Sequence, residues 1–148
     1  MREAAGMRQE RGKHLEREID RLIAWLDEQG IHGHKNHVKR TEGGVYLEGE
    51  PFDYEVFCNG KLAAFDAKEC HERRWNLTNA KLSQIRHLLN LRKHGADAFF
   101  LVYFAQSKRL VKFDVELVRK AIASGAKSLT ADEGSDWRWD SLTTGSVA

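Results

Sequence analysis

Asp53, Asp66 and Lys68 are the residues of this chain whose types and spacing invite chemistry. They lie in a run from Glu50 to Glu69 that reads as two strands joined by Asn59-Gly60. That dipeptide favours a two-residue type I′ turn, because both central positions need positive φ. The turn sets Cys58 opposite Lys61, so opposed residue numbers sum to 119 and Asp53 faces Asp66. Directly opposed side chains share a sheet face, with Cβ atoms roughly 4.5–5.5 Å apart. Lys68 follows on the same face about 7 Å along the strand. Two carboxylates this close repel unless a cation sits between them or one keeps its proton. Hard divalent ions such as Mg²⁺, with Mn²⁺ as the expected substitute, take carboxylate oxygens and retain waters for chemistry. A neighbouring lysine adds a movable positive charge. The spacing therefore predicts a metal site with a cationic helper, against the bland alternative of a solvated hairpin face with inert charges. Asp is a poor strand former, yet Phe52, Phe57, Leu62 and Phe65 surround these positions with core-type residues.

In its order the chain resembles the PD-(D/E)XK nucleases: Asp53, twelve intervening residues, then Asp66-Ala67-Lys68-Glu69. The surrounding sequence resembles the RecU-type and related phage Holliday junction resolvases. Gly12-Lys-His-Leu-Glu-Arg-Glu-Ile19 matches the helix with a glutamate that this group carries upstream. Ser83-Gln84-Ile85 and the apolar run Ala98 to Phe104 match downstream, so the likeness covers residues 10–120. It implies a restriction-endonuclease-like α/β fold, a mixed sheet flanked by helices. It also implies an Mg²⁺-dependent endonuclease that cuts four-way DNA junctions as a homodimer, with Glu16 as a third carboxylate and Gln84 close to the active site. RecU-type enzymes carry a projecting stalk before the hairpin; here the corresponding segment, Thr41 to Glu50, is short.

The elements that position these residues follow from periodicity. Arg8 to Gln29 places Leu15, Ile19, Leu22, Ile23 and Leu26 on one helical stripe that Gly30 closes, and Glu16 falls on the edge of that stripe. Ile31 to Arg40 is a His/Lys-rich connection without acids. Its three histidines lack the cysteines and ordered spacing of a zinc site, so Lys35, Lys39 and Arg40 read as phosphate contacts. Cys70 to Ala80 reads as a basic loop beside the carboxylates. Arg73, Arg74 and Lys81 would meet phosphates there, and Trp75 either stacks on an unpaired base or packs. Asn79 to His94 reads as a helix with Leu82, Ile85, Leu88 and Leu89 inward and Gly95 as its stop. Ala98 to Phe104 suits a central strand covered on both faces, and Arg109 to Phe113 its neighbour. Asp114 caps a third helix with Val115, Val118 and Ile122 inward and Gly125 at its end.

Composition bounds the rest. At 148 residues, 41% hydrophobic and 31% charged, the chain fits one globular domain. We divide it into a nuclease domain over 1–125 and a polar tail over 126–148 that carries Trp137 and Trp139. The longest apolar run, Ala98 to Ala105, is too short to span a bilayer, and the N-terminus has no apolar signal segment. Cys58 and Cys70 lie too far apart along the hairpin to bridge, about 30 Å on the strand rise. Cytoplasmic action, in a bacterium or a phage-infected host, is the expectation. Net charge is only +2, but Lys68 to His94 holds seven Lys/Arg against two acids. Local basic patches of this kind fit contact with phosphates. The alternatives are another DNA nuclease of the same superfamily, for repair or restriction, or a DNA-binding protein whose hairpin carboxylates are inert.

Overall fold

The computed structural model describes residues 2–35 and 54–138. Helix α1 spans Arg2–Glu28 and ends where Gly30 adopts φ 74°, a left-handed value that glycine takes without strain. Strand β1, His32–Lys35, follows where the sequence predicts only a connection. It pairs antiparallel with β2, Tyr54–Cys58, aligning Lys35 with Tyr54. Strands β2 and β3, Lys61–Cys70, form the expected hairpin, with Asn59 at φ 53° and Gly60 at φ 76°. Their register runs from Cys58↔Lys61 to Tyr54↔Phe65, every pair summing to 119.

After β3, the stretch read as a loop contains the short strand β4, Arg74–Asn76, and a 3-10 turn at Leu77–Asn79. Helix α2, Leu82–Lys93, then returns the chain, and β5, Asp97–Phe104, lies parallel to β3. This β3–α2–β5 crossover is the standard way to join parallel neighbours. Strand β6, Arg109–Asp114, pairs antiparallel with β5, and Asp114 caps α3, Val115–Ala123, by accepting from the Glu116 amide at 3.1 Å. Strand β7, Ser128–Thr130, pairs with β4, and β8, Ser135–Asp136, closes the main sheet against β6. The main sheet has the order β1-β2-β3-β5-β6-β8 and is mixed.

The sheet separates two apolar layers. On one face α1 contributes Leu15, Ile19 and Leu26 to a cluster with Tyr54, Val56, Phe65, Phe99, Leu101 and Trp137. On the other, Ile85 and Leu88 of α2 and Val115 and Val118 of α3 meet Ala64, Phe100, Val102 and Phe113. β5 contributes to both, as its continuous apolar run requires; each such side chain buried rather than exposed is worth about 1.5–3 kcal/mol. Two inward assignments fail. Leu82 is exposed because α2 starts there, at its free first turn, and Ile122 is exposed on the last turn of α3. Trp137 belongs to the core, tilted against Phe65 and Phe99 with centroids 6.2 Å away, so residues 128–137 are woven into the fold. Trp139 and the stretch Thr41 to Glu50 lie outside the described residues.

Candidate active site

The hairpin and the crossover decide which way each residue of β3 points. Successive strand side chains alternate between faces. Ala63, Phe65 and Ala67 join the α1-side layer, while Ala64 and Cys70 join the α2-side layer. Asp66 and Lys68, being even-numbered, therefore face the α2 side.

Asp66 is the one charged residue buried along with its backbone among those described, at 1% exposure. Lys68 Nζ lies 2.8 Å from Asp66 Oδ2. The contact is an ion pair by distance but lacks hydrogen-bond alignment, and among the described residues neither carboxylate oxygen has a hydrogen-bond donor. A buried carboxylate ordinarily carries several hydrogen bonds or a partner charge, since desolvation otherwise costs several kcal/mol. Here Lys68, itself 21% exposed, supplies the charge and reaches the surface. The arrangement is half complete: one hard anionic ligand, sunk in the strand, with open oxygens and a single amine beside it.

Asp53 is the next residue beyond the last aligned pair, Tyr54↔Phe65, and lies outside the described residues. Among the described residues no three His, Cys, Asp or Glu side chains gather closely enough to hold a metal ion. Glu16 is not brought to Asp66. It leaves α1, which covers the opposite face of β3, and is half exposed with Lys35 Nζ 4.0 Å from its carboxylate. Its place on the edge of the apolar stripe is on the solvent side of that edge.

The phosphate contacts read from sequence divide. Lys35 is held by Asp20 at 3.6 Å as well as Glu16, and its amine lies over the Tyr54 ring at 5.8 Å. Arg74 is tied to β7, its Nε donating to Ser128 Oγ at 2.7 Å. Arg73 and Lys81 are exposed, Arg73 on the wall of a cavity of about 230 Å³ with Arg109 and Asp132, beyond the end of β5. Lys39 and Arg40 lie outside the described residues. Gln84 sits in the first turn of α2, on the Asp66 side of the sheet, and its Oε1 accepts from the Lys81 amide at 3.1 Å. Its observed work is to cap the helix. Base stacking by Trp75 is ruled out: it is 1% exposed, stacked on Phe113 at 5.5 Å and tilted against Phe100 at 5.6 Å.

Glu69, inside the quoted motif, acts in a way the sequence does not reveal. Its side chain is almost fully buried on the α1 side, accepting from the Leu15 amide at 2.9 Å, with His71 Nε2 at 3.3 Å from the other oxygen. Alternation from Lys68 was the available signal, since it sends Glu69 to the face that α1 covers.

The model of the family Recombination protein U matches residues 10–136. No curated protein matches the chain. The solved structure of Hjc from Archaeoglobus fulgidus, titled a Holliday junction resolvase from an archaeal hyperthermophile, aligns at 19% identity and a TM-score of 0.46. The alignment covers 71% of this chain and 73% of that one. With the family match running over most of its length, the chain belongs to the RecU family of Holliday junction resolvases.

Proposed function

We propose that this chain resolves four-way DNA junctions by divalent-metal-dependent phosphodiester hydrolysis, centred on Asp66 and Lys68 with Asp53 as the second carboxylate. Family membership supplies the activity. The observation that carries the site is the buried Asp66 carboxylate, whose oxygens accept no hydrogen bond from the described residues and whose companion is a lysine that reaches solvent. Hard oxygens left open in this way suit Mg²⁺ or Mn²⁺. A divalent ion held by Asp53 and Asp66 would acidify the attacking water and neutralise charge on the scissile phosphate. Asp66 contributes a fixed negative charge in a dry setting, where it acts strongly. Lys68 contributes a cation that balances Asp66 in the free protein and faces the developing phosphorane charge during attack. Glu16 is half exposed on α1, which covers the face of β3 opposite Asp66, so the metal-ligand role read from the resemblance is not part of this proposal. Water attacks phosphorus, the ester oxygen leaves, and no side chain forms a covalent intermediate. Two symmetric cuts need two sites, which a homodimer provides.

The test is cleavage of a synthetic four-way junction with and without Mg²⁺ by the wild-type chain and by Asp66→Asn. Loss of cleavage and of Mg²⁺ binding by calorimetry, with junction binding retained, is the expected result. Full nicking by Asp66→Asn would end this reading. Equal cutting of linear duplex would leave the chemistry and change the substrate.

A further inference from the structure

The outer face of α2 presents cations that the active site does not use. Ile85 and Leu88 are buried against the sheet, which turns Arg86, His87, Asn90 and Lys93 to the exposed side. Arg86 and Lys93 stand seven residues apart, two helical turns and on the order of 10 Å along the axis. The dipeptides Arg86-His87 and Lys93-His94 repeat at that spacing, and no acidic residue occurs from Lys81 to Ala96. Among the described residues neither Arg86 nor Lys93 has an ion-pair partner, whereas adjacent Arg92 is fixed by Asp114 at 3.0 Å. The two imidazoles are turned along the helix in the same way. His87 Nδ1 lies 2.9 Å from Ser83 O and His94 Nδ1 lies 2.9 Å from Asn90 O. A carbonyl can only accept, so each Nδ1 is the donor and each Nε2 stays available.

Two features make this more than a solvated face. The repeat is a row of one sign with no counter-charge on its own helix, and the complement of such a row is a polyanion. The row also lies over the right face: α2 packs on the same side of β3 that carries Asp66 and Lys68. A DNA strand phosphate recurs every 3.4 Å of helix axis, so a span on the order of 10 Å matches about three nucleotides.

We propose that the outer face of α2 holds the sugar–phosphate backbone of one duplex arm, with Arg86 and Lys93 each neutralising a phosphate and Asn90 donating between them. The proposal rests on the reading of the chain as a junction-binding protein, but not on the assignment of Asp66. Such contacts would fix the arm's position without reading sequence.

The experiment is equilibrium binding in EDTA, so that no cleavage intervenes, using a four-way junction and a linear duplex at several salt concentrations. The double variant Arg86→Ala/Lys93→Ala should bind both DNAs roughly tenfold or more weakly, with a log–log salt slope shallower by about 2. If the alanine variant unfolds, Arg86→Gln/Lys93→Gln keeps side-chain bulk and helix propensity and gives the same readout. An unchanged slope and affinity overturns the proposal. A loss on the junction alone, with linear duplex binding intact, also overturns it, because an arm contact exists in both. If Asp66→Asn still cuts DNA, the active-site reading fails while this result stands.

Discussion

The amide of Leu15 in α1 donates to Glu69 Oε1 across 2.9 Å, one residue past Lys68 on β3. A single buried carboxylate thus ties the long helix to the strand that carries the candidate site. Glu69→Ala should lower unfolding stability by about 1.5–3 kcal/mol, the range for buried hydrogen bonds to charged groups. Glu69→Gln, which still accepts from Leu15, should cost less. Urea denaturation checks this, and equal midpoints for wild type and alanine variant would contradict it.

Lys68 and Asp66 form one electrostatic unit, so their removal should not be additive. Lys68→Met leaves Asp66 buried without a partner charge and should destabilise by about 2–3 kcal/mol, after discounting for the lysine's partial exposure. Its cleavage rate should fall about 10²–10³-fold. Lys68→Met/Asp66→Asn should regain most of the stability while remaining inactive. A double-mutant cycle by thermal unfolding measures the coupling, and strictly additive losses would dissolve the pair.

Gly134 lets β8 close on the sheet. A Cβ there would lie 2.5 Å from Val111 Cγ1, 2.8 Å from the Lys112 carbonyl and 2.9 Å from Phe113 Cε1. Backbone and core ring cannot both give way, so Gly134→Ala should cost about 1–3 kcal/mol as overpacking. Trp137, which follows β8 into the core, should then report a more solvated emission spectrum; an unaltered spectrum and midpoint would show that β8 adapts.

Cys70 and Cys58 should differ in reactivity. Burial pushes the Cys70 thiol up, and its Sγ lies 3.2 Å from the Glu72 carbonyl. Less thiolate and less access mean slower alkylation. Iodoacetamide at mildly alkaline pH should modify half-exposed Cys58 roughly tenfold faster than Cys70. Equal rates followed by mass spectrometry would place Cys70 nearer the surface than the structure does.

Features set by local rules are legible in the unfolded chain. Asn59-Gly60 set the hairpin register because positive φ at two adjacent positions admits few turns, and Tyr54↔Phe65 follows from it by counting. The same holds for the Asp114 cap, the glycine stops and the apolar run of β5, each fixed within a few neighbouring residues. Contacts between distant segments settle what those local rules leave open. Trp75 and Trp137 look alike in sequence to exposed aromatics, yet both are buried, because β4 and β8 find partners far along the chain. Glu16 sits beside an apolar stripe, yet it lies half exposed with Lys35 of β1 at 4.0 Å, and β1 itself forms by pairing with β2. Glu69 and Lys68 are adjacent in the motif and opposite in space, since a strand alternates and α1 covers one face alone. Long-range pairing, which no window of sequence contains, chose their separate tasks.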